Sequence, residues 1–190
     1  MEEKKYAVLI DGDNISSKYL DSILNEMTKY GIATYKRIYC DFTSQQSSKW
    51  RRLVRDSGIQ AMQQFANTVG KNATDSTLII DAMDILYTGN VDGFCIVSSD
   101  GDFTRLAIRL KESGMDVIGM GESKTPRSFR AACTVFTDLE ILYEAESEDD
   151  EISTKGKKPA VKHNVVKVSE IENVIIAVSY THLTLPTTSR

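Results

Sequence analysis

Histidine and cysteine are scarce in this 190-residue sequence, with two His and three Cys. His163 and His182 have no cysteine near them, which excludes a Cys/His zinc centre. Cys40, Cys95 and Cys133 are odd in number, far apart and set in apolar, strand-like segments. They read as buried thiols of a cytoplasmic protein, not as a disulfide framework. No stretch approaches the roughly 20 apolar residues that cross a bilayer. The opening MEEKKYAVLIDG enters an apolar run bounded by acids, which is not the pattern of a secretory signal. An excess of positive charge is also missing, since the formal net charge is −4. That sum excludes little, because distribution matters more than the total. Acids gather in DGDN (11–14), DSTLIIDAMD (75–84), SSDGDF (98–103) and SEDDE (147–151), whereas bases gather at Lys49–Arg55 and Lys124–Arg130.

What is present is a soluble-type composition, 41% hydrophobic, that can bury a core. Tyr6–Ile10 is a short apolar run ending at Asp11-Gly12, the pattern of a buried strand. Ser16 or Ser17 can cap a helix with Tyr19, Leu20, Ile23, Leu24 and Met27 at helical spacing, stopped by Gly31. Ile32–Cys40 is the next strand, a basic helix opens at Ser47 or Ser48 and closes at Gly58, and Ile59–Phe65 is strand-like. A helix is predicted over Asp75–Tyr87, then a strand over Gly93–Val97 ending at Ser98-Ser99-Asp100. A helix over Phe103–Ser113, a strand over Val117–Met120, a proline-started helix over Pro126–Ala132 and a last strand at Thr134–Phe136 complete the pattern. Strands alternating with helices predict an α/β fold, a mostly parallel sheet covered on both faces. Ligands of such sheets bind beyond the carboxyl ends of the strands, where Asp11 and Asp100 both stand.

The expected domain is residues 1–144. Residues 145–167 combine low hydrophobicity, opposed charge blocks, Gly and Pro, and are expected to be a linker. Residues 168–178 (VSEIENVIIAV) have the look of a helix start, and residues 179–190 resemble the translation of a sequencing adapter and are expected to be a non-native tail.

Three acidic segments carry the chemistry: Asp11-Gly12-Asp13-Asn14, Lys71 to Asp75 with Asp81 beyond, and Ser98 to Phe103. Two carboxylates about 5 Å apart repel by roughly 3 kcal/mol at an effective dielectric near 20. Several together call for neutralisation, and all-oxygen ligation without His or Cys points to Mg²⁺ or Mn²⁺. Such a centre suits attack of water on phosphorus. The candidate catalytic residues are Asp11, Asn14, Asp75, Asp100 and Asp102. The candidate metal ligands are Asp11, Asp75, Asp100 and Asp102, with Asp81 a further one. Lys71 and Arg127 are candidate contacts to substrate phosphate. Plainer readings stand beside these. Asp11 and Asp100 can be turn residues, Asp13-Asn14 a helix cap, and Asp75 a helix-start acid. Asp84 reads as solvated, the KWRR segment as a solvated helix face, and Trp50 as packed.

IDGDN after the first strand, K-x-x-x-D-S-x-x-x-x-D on the middle helix and SSDGDF after a later strand together resemble the NYN domain, in its LabA-like branch within the PIN-like nucleases. The resemblance covers about residues 5–144. It implies a PIN-like three-layer α/β/α sandwich, divalent-metal dependence, endoribonuclease chemistry and RNA as partner. It also implies metal or catalytic roles for Asp11, Asn14, Asp75, Asp100 and Asp102, and makes Asp81 a recurrent acid. The family's Lys before the helix acid usually stands three residues away, whereas Lys71 is four from Asp75. Residues 168–178 resemble the first helix of a LOTUS (OST-HTH) RNA-binding module, cut short where the tail begins. A homodimer is a further expectation. Three other readings stay open: a non-catalytic RNA-binding or regulatory protein of the same fold, an interaction module binding cations structurally, and a haloacid dehalogenase-type phosphatase. The last rests on Asp11-x-Asp13, although Ile15 stands where that family carries Thr.

Overall fold

The computed structural model describes residues 3–45, 47–64 and 73–155, with side chains omitted at 73 and from 148 onward. Six strands, β1 (Lys5–Asp11), β2 (Ile32–Cys40), β3 (Gln60–Gln63), β4 (Gly93–Val97), β5 (Asp116–Gly121) and β6 (Val135–Asp138), form one sheet in the order β3-β2-β1-β4-β5-β6. Every pairing is parallel. The helices are α1 (Leu20–Met27), α2 (Ser48–Ser57), α3 (Ala73–Thr88), α4 (Thr104–Glu112), α5 (Arg127–Ala132) and α6 (Leu139–Lys155).

Strand β1 shows how the sequence builds three layers. Side chains alternate across a strand, and β1 is apolar on both sides. Tyr6, Val8 and Ile10 enter one core with Ile23 and Met27 of α1, Trp50 of α2 and Leu139 of α6. Ala7 and Leu9 enter the opposite core with Leu78 and Ala82 of α3, Leu106 and Leu110 of α4 and Phe129 of α5. Both faces are therefore covered, as the alternating pattern requires. The chain winds outward from β1 to β3 on one side, then returns over the other face to β4 and continues to β6. The order reverses between β1 and β4, so the two carboxyl ends that diverge there flank a crevice.

Most predicted elements appear within one or two residues of their expected bounds. The first helix differs, because Ser17–Tyr19 forms a 3-10 turn before α1 and α1 ends at Met27, ahead of Gly31. Helix α2 ends as expected, with Gly58 in the left-handed conformation at φ +62°. Helix α6 continues past residue 145, where the linker is expected to begin, and runs through the SEDDE acids to Lys155. Its Glu, Ala and Leu residues favour helix, and the breakers Gly156 and Pro159 come only afterwards. Tyr143 of α6 packs edge-on against Tyr19, with ring centroids 5.7 Å apart. Residues 1–151 form one compact unit, and beyond it only residues 152–155 are among those described. The LOTUS-like segment 168–178, the tail 179–190, His163, His182 and Lys71 all lie outside the described residues. The three cysteines are buried thiols as expected. Burial pushes the Cys40 thiol up to about 12 and Cys133 up to about 11.

Candidate metal centre

The crevice between β1 and β4 collects the three acidic segments. Asp11 ends β1, where the strand is buried to its last residue, and its carboxyl is fully enclosed at 0% exposure. Enclosure raises its pKa, opposed by the hydrogen bonds it accepts. The Ser98 hydroxyl donates to Asp11 Oδ2 at 2.7 Å and the Asn14 side-chain amide donates to the same oxygen at 2.8 Å. The Asn14 backbone N–H reaches Oδ1 at 3.3 Å. Asp11 therefore forms the floor of the site and holds the turn that follows it.

Close packing shapes that turn. A Cβ on Gly12 would stand 2.9 Å from Ile38 Cδ1 and 3.2 Å from Cys40 Cβ, so glycine lets the turn lie against β2. The Trp50 indole N–H donates to the Gly12 carbonyl at 3.0 Å, and the ring is 2% exposed. Trp50 is thus packed, as its sequence context suggests, and it ties α2 to the turn. On the other side, the Thr74 hydroxyl donates to Asp13 Oδ2 at 2.8 Å, joining the first acidic segment to the start of α3.

Asp75, Asp100 and Asp102 each offer a carboxylate oxygen, and these three atoms lie within 4.8 Å of one another. Asp75 sits in the first turn of α3, where the helix dipole favours an anion. Burial nevertheless pushes its carboxyl up to about 6, with the charges of Asp11, Asp100, Asp102 and Asp13 adding to the shift. Asp100 follows β4 and caps a 3-10 turn, its Oδ1 accepting the Asp102 N–H at 2.9 Å. Its own N–H donates to Ser98 Oγ at 3.0 Å. Capping and site membership are compatible roles for this residue. Among the described residues no lysine or arginine forms an ion pair with Asp75 or Asp100. Three carboxylate donors, one raised in pKa by burial and by the charges of its neighbours, fit a hard divalent cation.

The structure thus brings Asp11, Asn14, Asp75, Asp100 and Asp102 together, with Asp102 in the close triad and Asp11 beneath it. Asp81 is placed elsewhere. Its carboxylate pairs with the Arg37 guanidinium and accepts the Tyr39 hydroxyl, linking α3 to β2. Arg127 is exposed at the start of α5. That helix start lies beside the Asp100–Asp102 turn, because a Cβ on Gly101 would meet Pro126 Cγ at 3.3 Å. Asp84 is exposed, as expected.

Sequence reasoning assigned no role to Ser98, which bridges the first and third acidic segments through both its donor and its acceptor capacity. The one signal was its place, a small hydroxyl closing a fully buried strand next to an acid. Tyr39 and Arg37 were also missed, since a tyrosine and an arginine in a strand carry no motif.

Comparison with known proteins bears on the fold and the family. A protein of unknown function from Vibrio parahaemolyticus has a similar solved structure, with TM-score 0.61 and 19% identity over 73% of this chain and 96% of that chain. That likeness shows the fold. An uncharacterized protein of Methanocaldococcus jannaschii is 26% identical over 174 residues, covering 88% of this chain and 66% of the relative. The chain thus spans just under two thirds of the length of that relative. The family model for the NYN domain matches residues 5–140, from the first residue of β1 to the start of α6. The chain belongs to the NYN domain family, whose members are generally metal-dependent nucleases.

Proposed function

We propose that this chain is a divalent-metal-dependent endoribonuclease domain that hydrolyses RNA phosphodiester bonds, using Mg²⁺ or Mn²⁺. The observation that carries this reading is the triad of Asp75, Asp100 and Asp102, whose oxygens lie within 4.8 Å at the point where the sheet order reverses. These acids would hold the cation. When bound, a divalent cation supplies Lewis acidity and charge neutralisation to a phosphoryl group.

The remaining roles belong to the chain's own residues. Asp11 orients Asn14 by accepting its side-chain and backbone N–H groups, and the exposed Asn14 keeps an amide oxygen that can accept from water. Asp75, the most enclosed of the three acids, would hold the cation or orient the attacking water. Water oxygen bonds to phosphorus as the bond from phosphorus to the ribose oxygen breaks, the water gives up a proton to solvent, and the departing ribose oxygen takes one up to become a hydroxyl. Arg127, exposed beside the Asp100–Asp102 turn, is placed to meet a phosphate, and Lys71 is proposed for the same role as the cation preceding Asp75 in sequence, at a spacing of four where the family has three.

The phosphatase reading loses support, because a nucleophilic Asp11 would have to be accessible and this carboxylate is enclosed. The finer placement in the LabA-like branch rests on the order of the three motifs. A cytoplasmic location rests on the buried thiols Cys40, Cys95 and Cys133. A homodimer is supported by the outer face of α3, where Ile80 is 61% and Tyr87 75% exposed. The LOTUS-like continuation rests on residues 168–178 alone.

The test is incubation of the full chain with labelled single-stranded and structured RNA, with and without Mn²⁺. Internal cleavage that needs the metal and falls about 100-fold or more in Asp100→Asn supports the reading. Wild-type chain that binds Mn²⁺ and RNA without cleaving would instead make it a non-catalytic RNA-binding protein.

A further inference from the structure

We infer that the cleft between the turn after β1 and the first half of α2 is the track along which one arm of the RNA strand leaves the acidic centre, held through its phosphates by Lys49 and Arg52. This rests on the RNA reading above. Two hollows, of about 400 and 590 Å³, adjoin there and share Ser16, Ser17 and Lys49. The first begins at Asp13 and Asn14, on the rim of the metal centre, and the second ends at Arg52 and Leu53. A path therefore runs from the acids to the cations without leaving the surface.

The charges along it suit a polyanion. Lys49 and Arg52 are exposed, and neither forms an ion pair among the described residues. Arg51, between them, is engaged differently, donating to the Phe42 carbonyl at 2.5 Å. Serine hydroxyls of Ser16, Ser17 and Ser48 line the path and can donate to phosphate oxygens. Asp21 is the one acid lining the wider hollow. The track is also fixed relative to the chemistry. The buried Trp50 indole holds α2 on the Gly12 carbonyl, one residue from Asp11. A strand seated on Lys49 and Arg52 would thus meet the centre in a defined register. These residues read in the sequence as a solvated helix face, and only the two adjoining hollows show that this face leads to the acids.

Removing two phosphate contacts from a single strand makes the slope of log affinity against log salt shallower by about 1.4, and lowers affinity about 25-fold at 0.1 M salt. The experiment is fluorescence anisotropy of a labelled single-stranded RNA on the full chain, in EDTA and in Ca²⁺, across a salt series. Lys49→Ala/Arg52→Ala is expected to show that loss and that slope. Arg109→Ala/Lys111→Ala, which removes the same charge at the far end of α4, is expected to stay within about twofold of wild type. Circular dichroism melts establish that both double variants are folded, and Lys49→Gln/Arg52→Gln provides a second pair. Equal losses in the two double variants, an unchanged slope in the cleft variant, or no RNA binding by the wild type would overturn the track. Expected binding losses without any Mn²⁺-dependent cleavage would fail the nuclease reading and keep the track. Cleavage abolished by Asp100→Asn with binding indifferent to Lys49 and Arg52 would do the reverse.

Discussion

Replacing Asp75 by asparagine should stabilise the metal-free protein and remove the stabilisation that metal confers. The Asp75 carboxyl is raised from 3.8 to about 6 by burial and by Asp11, Asp100, Asp102 and Asp13. A folded-state pKa above the unfolded value means that the native chain binds this proton more tightly. Stability from this group is therefore full below pH 3.8, falls as pH rises through about 6, and stays low above it. At 1.4 kcal/mol per pH unit, the charge costs the folded state at most about 3 kcal/mol near pH 7.5. Screening by water at the mouth of the crevice lowers that ceiling. Loss of a favourable helix-dipole interaction subtracts about 0.3–1 kcal/mol more from the variant's gain. The net gain is about 1–2 kcal/mol, or roughly 2–8 °C in Tm for a domain of this size. Thermal melts in EDTA should show Asp75→Asn above wild type at pH 7.5, by about half as much at pH 5, and level with it below pH 3.8. Saturating Mn²⁺ should invert the order at pH 7.5. A ligand at 100 times its Kd stabilises the wild type by about 2.7 kcal/mol, and the variant loses a donor. Asp75→Asn melting below wild type in EDTA at pH 7.5, or gaining as much from Mn²⁺, would refute the electrostatic account.

Ser98→Ala should cost about 1–3 kcal/mol in urea unfolding, because it strips a donor from the enclosed Asp11 carboxylate and an acceptor from the Asp100 N–H. Trp50→Phe keeps the ring packed but deletes the hydrogen bond to Gly12, so it should cost about 1 kcal/mol in the same assay. Arg37→Met leaves Asp81 with the Tyr39 hydroxyl alone and should cost about 2–3 kcal/mol, below the figure for a fully buried pair because both partners retain some exposure. Asp81→Asn should leave the Mn²⁺-induced rise in Tm intact. A lost rise would instead make Asp81 part of the metal centre.

The order and type of elements were legible because each rests on local chemistry. Tyr6–Ile10 is apolar on both sides, so β1 had to be covered twice, and the two cores found there confirm it. Gly58 stops α2 because only a glycine takes the left-handed conformation without cost. The extension of α6 through Glu146 and beyond was not legible, because low hydrophobicity was read as absence of structure. A run of good helix formers needs only one packed end to persist, and Leu139, Tyr143 and the bond between Ser22 and Glu146 provide it.

The candidate site was legible as a set and illegible as a geometry, and the reason is burial. The sequence places Asp11 and Asp100 alike, each just past the carboxyl end of an apolar strand, and so weights them equally as ligands. In the fold β1 is buried through Asp11, whereas beyond β4 the chain passes through Ser98 and Ser99 before Asp100 reaches the half-exposed rim. Two extra residues separate a carboxylate that accepts hydrogen bonds in the floor from one that joins the triad with Asp75 and Asp102. Asp81 fails the same inference from the other direction. It shares a helix with Asp75, but six residues further along, on the side where Arg37 and Tyr39 of β2 meet it. A helix turns 100° and rises 1.5 Å per residue, so six residues carry Asp81 about 9 Å down α3 and well away from the crevice's rim. The nearness of acids in sequence therefore identified the helix that serves the site, and the sheet decided which of its acids does so.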